Sequence, residues 1–186
     1  EDDGVVSGMP SGDFSQIAVG THDESEFACG LRQSGTIECW GEDHAEVVSG
    51  APAGLFVHLA VGQRNACAIR ISGELACWGR NTCGQSEPPA GSFVDVAASA
   101  CHSCGITESG ELQCWGDIGG SGEGQLSGVP EGVFVQADVG QYHGCALDRD
   151  GAIHCWGTND QGQADAPGGE GFSALSSGPN HSCAID

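Results

Sequence analysis

Cysteine is the residue whose spacing in this sequence carries the clearest chemistry. The chain has 11 cysteines in 186 residues, and eight of them form pairs ten positions apart: Cys29 with Cys39, Cys67 with Cys77, Cys104 with Cys114, and Cys145 with Cys155. A turn lies midway within each pair, so the two cysteines face each other across an antiparallel hairpin. Opposed Cα atoms there are about 4.5–5.5 Å apart, which is within disulfide range. We therefore expect four disulfides, which are typical of an oxidising compartment.

Three cysteines remain, and two of them predict a fifth bond. Cys83 follows the third strand of one predicted unit, and Cys101 follows the first strand of the next. Those strands run in the same direction, so both loops lie on one face, and we expect a Cys83–Cys101 disulfide between neighbouring units. Cys183 has no partner at the spacing of ten, so it is expected to be unpaired or to form an intermolecular bond. Because the chain has no second C-x-x-C beside Cys101–Cys104, a zinc site is not expected.

Histidines and carboxylates offer weaker candidate sites. His102, His143 and His181 occupy one position of the repeat, where we expect them to bond to local backbone. The segment 148–151 (DRDG) looks like the start of a calcium loop but lacks the later oxygen ligands, and it aligns with hairpin turns elsewhere in the chain.

A second cation candidate lies on predicted loops. His22, Asp23 and Glu24 are expected near Asp43 and His44 on one face, which makes His22 and His44 weak candidates for metal ligands. We expect no cofactor, and calcium binding is the one alternative that the sequence leaves open. The sequence has no nucleophile elbow, paired-carboxylate motif or phosphate loop, and this predicts a protein that is not an enzyme.

A tandem repeat organises these residues. The tripeptide Cys-Trp-Gly recurs with its tryptophans at Trp40, Trp78, Trp115 and Trp156, which are separated by 38, 37 and 41 residues. Alternating apolar runs, small-residue strands and glycine turns fill each unit. The pattern predicts an all-β fold, a β-propeller of four-stranded blades of about 39 residues, with nearly five repeats in the chain. The tryptophans are expected in the core.

The predicted blades divide a single repeat domain, 1–186. An outer strand of an incomplete blade covers 1–13, and the first two strands of the same incomplete blade cover 172–186. Either the array is longer than this sequence, or another molecule completes the last blade. Four blades lie between these segments: 14–55, 56–92, 93–133 and 134–171.

The charge of the chain limits its partners. Twenty-six acidic residues oppose five arginines, for a formal net charge of −21. That charge argues against binding to nucleic acid or to anionic membrane surfaces, and no apolar run is long enough to span a membrane. Loops on one predicted face differ in length and chemistry between repeats, and we place the partner-binding residues there. They are Asp23, Glu24, Glu42, Asp43, Arg80 and Asp117.

The repeat resembles that of the regulator of chromosome condensation family. The unit is clearest at 134–163, which reads FVQADVGQYHGCALDRDGAIHCWGTNDQGQ, and it is especially similar to the secreted, disulfide-rich bacterial form of the family. The resemblance implies a propeller, commonly seven-bladed, that binds other proteins through its loop faces. This chain departs from it by holding fewer than five full repeats.

These features lead to one functional hypothesis and two alternatives. We expect a non-catalytic, secreted propeller that acts as a protein-interaction module. The first alternative is a self-assembling subunit of an extracellular filament or surface layer, joined through the incomplete blade. The second, which the resemblance allows, is a secreted protein inhibitor of a hydrolase.

Overall fold

Five antiparallel sheets follow one another along the chain in the computed structural model, which describes residues 8–22, 25–117 and 124–186. Four sheets have three strands, and the fifth has two. The strands of the first two sheets are β1 (Phe14–His22), β2 (Ser25–Arg32), β3 (Ile37–Gly41), β4 (Phe56–Val61), β5 (Asn65–Arg70) and β6 (Leu75–Gly79). Those of the third and fourth are β7 (Phe93–Ala98), β8 (His102–Thr107), β9 (Leu112–Gly116), β10 (Phe134–Val139), β11 (His143–Asp148) and β12 (Ile153–Gly157). The fifth contains β13 (Ala174–Ser177) and β14 (Ser182–Ile185).

The all-β prediction is confirmed, whereas the predicted four-stranded blade is not what the structure shows. In the described residues, the segment after each third strand forms turns, with a short 3-10 helix at His44–Glu46. In these turns, backbone N–H groups donate to side chains instead of to a neighbouring strand. The N–H of Val48 donates to Oδ1 of Asp43, and the N–H of Ser86 donates to Oδ1 of Asn81. Residues 8–13 of the predicted outer strand are likewise not a strand, and 1–7 lie outside the described residues.

The hairpin register places the paired cysteines directly opposite each other. Cys67 faces Cys77, and the residues on either side are paired in step, so that Ala66 faces Trp78. All four hairpins share this register and carry a disulfide with Cα atoms 4.0–4.1 Å apart. The bonds join Cys29 with Cys39, Cys67 with Cys77, Cys104 with Cys114, and Cys145 with Cys155.

The two cysteines of a hairpin differ in burial. Cys104 in β8 is fully buried, whereas Cys114 in β9 is half-buried and packs against the core cluster that contains Trp156. The second strand of a sheet therefore lies deeper than the third, although a disulfide joins them. A fifth disulfide joins Cys83 to Cys101, and Cys183 is free and exposed.

A β-bulge at the second position of each of the four longer first strands sets which side chains face the core. The register shifts between Phe56 and His58, and the same shift recurs in β1, β7 and β10. The bulge lets Phe56 and Leu59, three residues apart, both be buried, while Val57 is 61% exposed. Strict alternation would have placed Phe56 and Leu59 on opposite faces.

The core lies between consecutive sheets. The second strand of each three-stranded sheet is buried, and the tryptophans are 3–8% exposed, as expected. Each of Trp78, Trp115 and Trp156 packs against the cysteine hairpin of the preceding sheet. In the part of the chain that the structure describes, no helix has the length and apolar character needed to cross a membrane.

Polar side chains also join the first strands of consecutive sheets. Gln16 makes two hydrogen bonds to the backbone of Leu59, one from Nε2 to the carbonyl at 2.7 Å and one to Oε1 from the N–H at 3.0 Å. Gln136 repeats both bonds with Leu175. At the same position of β7, Asp95 accepts from the N–H of Ala137 at 2.8 Å. The sheets are therefore held in a defined order around a shared cavity lined by all five first strands.

Candidate partner-binding face

The third strands end at equivalent positions on one side of the molecule. The residue after each terminal glycine donates its N–H to a carbonyl at or just before the start of the second strand of the same sheet, at 2.8–3.0 Å. These donor and acceptor pairs are Glu42 with Glu26, Arg80 with Arg64, Asp117 with Cys101, and Thr158 with Tyr142. One backbone arrangement thus presents an acid, a base, a second acid and a hydroxyl side by side.

Short-range bonds orient three of these side chains. Nε of Arg80 donates to Oγ1 of Thr82 at 2.9 Å, and the carboxylate of Glu42 lies 2.9 Å from Nε2 of His44. Gln125 is fully buried and donates from Nε2 to Oδ1 of Asp117 at 2.6 Å. Asp117 itself has φ of 60°, a left-handed conformation that its short polar side chain tolerates.

The Asp43 side chain is hydrogen-bonded within its own loop. Its Oδ1 accepts from the N–H groups of Val48 at 2.7 Å and Ser49 at 3.1 Å. Hydrogen bonds from Ser49, with a smaller contribution from Val48, lower the pKa of this carboxyl below its ordinary value. Asp43 therefore stays ionised and shapes the turn that carries its neighbours.

The Cys83–Cys101 disulfide links two of these loops. Cys83 lies in the loop after β6, and Cys101 immediately precedes β8 in the next sheet, with Cα atoms 5.2 Å apart. Gln85 reinforces the link, because its Nε2 donates to the carbonyl of Ala100 at 2.8 Å. The loops of the second and third sheets are consequently connected. Together with the loop that follows β3 in the first sheet, they form the surface that we name the third-strand face (residues 42–46, 80–84 and 117).

Buried histidines lie at the start of second strands. His102 is fully buried, and loss of hydration of the charged form lowers its pKa to about 4, with repulsion from His143 adding to the effect. Burial also lowers the pKa of His143, whose Nε2 lies 2.9 Å from Oγ of Ser182 in the next sheet. The prediction that His143 bonds to local backbone is therefore wrong, because the packing of the fifth sheet on the fourth brings the Ser182 hydroxyl within hydrogen-bond distance of its ring.

The predicted cation site stays a prediction. Asp23 and Glu24 lie outside the described residues, and of His22 only the strand backbone is described. Within the described ranges, no three His, Cys, Asp or Glu side chains are grouped so as to hold a metal ion. The DRDG segment is a hairpin turn, since Oδ1 of Asp148 accepts from the N–H groups of Asp150 and Ala152.

Sequence reasoning missed the glutamines that hold these loops and sheets. Gln85, Gln125 and Gln163 are buried at one repeat position, and the recurring Gly-Gln dipeptide is the signal that could have revealed them. Gln16 and Gln136 also share a position, but their partners lie 43 and 39 residues away in the chain. No local pattern points to those partners.

Comparisons with known proteins agree with this architecture. A family model for the regulator of chromosome condensation (RCC1) repeat matches residues 56–85, 93–125 and 134–163, which together make up half of the chain. No curated protein matches the chain in sequence.

Solved structures share the fold. The entire ectodomain of the Physcomitrella patens receptor kinase CR4 is 25% identical with a TM-score of 0.77, over 94% of this chain and 51% of that one. The CRINKLY WD40 ectodomain of the Arabidopsis thaliana receptor kinase ACR4 is 25% identical with a TM-score of 0.70, over 86% of this chain and 57% of that one. Prp20p from Saccharomyces cerevisiae, described with its binding to Gsp1p and histones, is 15% identical with a TM-score of 0.69, over 92% of this chain and 55% of that one. The chain therefore spans about half the length of these proteins.

Proposed function

Because the chain belongs to the family of regulator of chromosome condensation (RCC1) repeat proteins, we propose that it is a non-catalytic protein-interaction module. The partner binds at the third-strand face. The observation that carries this proposal is the constant backbone hydrogen bond that presents Glu42, Arg80 and Asp117, three different side chains at one repeat position. A rigid frame with variable loops is the usual arrangement for recognition.

Electrostatics favours a partner with a basic surface. The net charge of −21 attracts positively charged proteins at long range and accelerates their association at low salt. Arg80 then gives the third-strand face a local positive point within an acidic surface. A partner that matches this pattern carries an acidic group among its basic ones.

An extracellular location is part of the proposal. Five disulfides are characteristic of oxidising compartments, and two of the similar structures are ectodomains of plant receptor kinases. Prp20p is described as binding Gsp1p and histones, but at 15% identity the likeness extends to the fold alone.

Three narrower predictions from the sequence stay predictions. They are the likeness to the secreted bacterial form of the family, the inhibition of a hydrolase, and assembly into a filament through the incomplete blade. The same holds for the absence of a cofactor and for the exclusion of nucleic acid as a ligand.

Charge reversal on the third-strand face tests the proposal. The purified protein is immobilised, proteins from the extracellular fraction of its source are bound to it, and each captured protein is then purified and titrated against the chain. We expect Arg80→Glu and Asp117→Arg to weaken binding of a true partner at least about tenfold, the loss expected when a central charged contact is reversed.

The control variant is Glu108→Arg, at the hairpin turn on the opposite side of the molecule. The Glu108 side chain accepts a hydrogen bond from Oγ of Ser92, and the Glu108→Arg variant is expected to leave affinity nearly unchanged. If net charge alone drove binding of a basic partner, Asp117→Arg and Glu108→Arg would weaken it equally and Arg80→Glu would strengthen it. Unchanged affinity in all three variants would exclude the third-strand face.

A further inference from the structure

Apolar side chains are exposed on the side of the molecule opposite the third-strand face, where turns join second strands to third strands. In the second, third and fourth sheets, a valine in the first strand is the extra residue of the β-bulge and is 47–61% exposed. The exposed apolar residues at these strand starts and turns are Leu55, Val57, Ile71, Val94, Val133 and Val135. Together with Glu108 they make up a surface that we name the hairpin-turn face.

Backbone hydrogen bonds join the second sheet to the third on this face. The N–H of Ile71 donates to the carbonyl of Leu55 at 3.1 Å, so the turn lies beside the start of the first strand of its own sheet. In the same turn, the carbonyl of Gly73 accepts from the N–H of Phe93 at 2.8 Å, and Val94 is the next residue. The exposed apolar residues of these two sheets are therefore neighbours on the surface.

The third sheet is joined to the fourth in the same way. The N–H of Phe134, which lies between Val133 and Val135, donates to the carbonyl of Gly110 at 2.8 Å. A Cβ atom at Gly110 would lie 2.5 Å from Cγ1 of Val133, so this valine packs against the turn of the third sheet. The apolar residues of three consecutive sheets thus form a contiguous patch. Patches of this kind mark interaction sites, whereas isolated exposed apolar residues are ordinary.

An acidic side chain lies within the patch. Glu108 has the repeat position of Ile71, and it lies in the same turn as Gly110. Its N–H donates to the carbonyl of Ser92 at 3.0 Å, and its Oε1 accepts from Oγ of Ser92 at 2.9 Å. Because Ser92 has the repeat position of Leu55, the Glu108 carboxylate lies between the apolar side chains of the second and fourth sheets.

The charges around the patch favour one kind of partner. Further acidic side chains are exposed in these turns and in the segments that flank them, whereas Arg149 is the one exposed arginine among the described residues. These acidic residues are Glu74, Glu111, Glu131 and Asp150. A second copy of this chain, or an anionic membrane, would bring like charges together. A protein surface with basic groups beside an apolar stripe is complementary to the patch.

We propose that the hairpin-turn face binds a cationic amphipathic segment of a partner protein. The apolar side chains of the segment cover Val94 and Val135, and one of its lysines or arginines pairs with Glu108. Burial of apolar area supplies affinity, and the charge pair fixes the orientation of the segment. This surface is separate from the third-strand face, so occupation of one leaves the other accessible.

A synthetic peptide tests this surface. The probe is a helix-forming peptide of leucine and lysine, about 18 residues long, with its leucines on one face, and the control peptide has the same composition in scrambled order. Fluorescence anisotropy of the labelled peptides, titrated with the full chain at about 0.15 M salt, gives the dissociation constants. We expect the amphipathic peptide to bind at least about tenfold more tightly than the scrambled one, because only its leucines can cover the patch together.

Matched variants locate the binding site. We expect Val94→Ser/Val135→Ser to weaken binding of the amphipathic peptide at least about tenfold. The control is Ile17→Ser/Val19→Ser in β1, at positions 51% and 54% exposed, and it should change affinity less than about twofold. Each variant is first shown to unfold at the same denaturant concentration as the parent.

A second pair of variants tests the charge contact. Glu108→Gln should weaken binding more than Asp160→Asn, which removes one exposed carboxylate from the loop after β12. Equal affinity for the two peptides, or equal losses from the two serine pairs, would overturn the proposal, because general attraction of cationic peptides would then suffice. Dimers of the parent chain that Val94→Ser/Val135→Ser dissociates would assign the face to a second copy instead. All four variants lie outside the third-strand face, so a negative result here leaves the proposed function standing.

Discussion

The indole N–H of Trp78 donates to the backbone carbonyl of Val47 across the boundary between the first two sheets, at 2.8 Å. The same bond joins Trp115 to Gln85 and Trp156 to Gln125. Consecutive residues of a strand point to opposite faces. In these three Cys-Trp-Gly segments the cysteine therefore closes its own hairpin, while the tryptophan binds the loop of the preceding sheet.

Removing only the indole donor measures what this bond contributes. Trp78→Phe keeps an aromatic ring in the pocket and leaves the Val47 carbonyl buried without its partner, so we expect a loss of about 1–3 kcal/mol in the free energy of unfolding. Trp78→Ala also opens a cavity and should cost about 3–5 kcal/mol. Denaturant unfolding with disulfides intact gives both values. Ile71→Ala, at a position 68% exposed, is the control and should change stability little. A Trp78→Phe protein as stable as the parent would show that the bond contributes nothing.

Gln136 is expected to hold the fifth sheet against the fourth. Gln136→Leu has similar volume but leaves the N–H and the carbonyl of Leu175 without the two bonds they now share with the side chain. We expect about 1–3 kcal/mol of destabilisation, concentrated in β13 and β14. Amide hydrogen exchange should therefore accelerate at Leu175 and much less at Leu59, whose partner Gln16 is intact. A uniform acceleration over both positions would contradict a local role.

The hairpin disulfides should each contribute a similar amount, and the bond between Cys104 and Cys114 offers a direct test. The double variant Cys104→Ala/Cys114→Ala removes the constraint on a loop of ten residues, worth about 2–3 kcal/mol on the chain-entropy model. Thermal unfolding under non-reducing conditions measures the loss. Cys183→Ser is the matched control, since this free and exposed cysteine should have no effect. Equal stability of the double variant and the parent would rule out a stabilising role for the bond.

His102 predicts a defined pH dependence of stability. Its pKa is about 4 in the folded protein and about 6.5 in the unfolded chain, so between these values the unfolded state binds the proton first. The contribution of neutral His102 to the free energy of unfolding is therefore fully present above pH 6.5. It decreases as the pH falls toward 4, by up to about 1.4 kcal/mol for each pH unit.

The repeat supplies a variant that isolates this effect. His102→Asn introduces the residue found at the same position in β5, where Asn65 is fully buried. The difference in unfolding free energy between parent and variant should change with pH between 6.5 and 4 and be constant from pH 7 to 8. A difference that does not vary with pH would exclude His102 as the titrating group.

Features within one hairpin were accessible from the sequence. The pairing of Cys29 with Cys39 and the burial of Trp40 follow from a separation of ten residues, a central turn and alternation along a strand. The Cys83–Cys101 bond also followed, because the direction of two strands places their loops on one face. In the Phe56–Val61 strand, alternation predicts the wrong buried side chains, because a β-bulge shifts the register by one residue. No sequence pattern indicates this bulge.

The all-β repeat, the hairpin register and the cysteine pairs could be predicted from the sequence, since they depend on short-range spacing and on the period of two in a strand. The packing of one sheet on the next was needed to show that the outer segment forms turns, that Gln16 binds Leu59, and that Trp78 binds Val47. Those contacts join residues about 30 to 40 positions apart. They depend on how closely one sheet packs against the next, and that distance is set by the combined shape of two buried faces rather than by any local pattern.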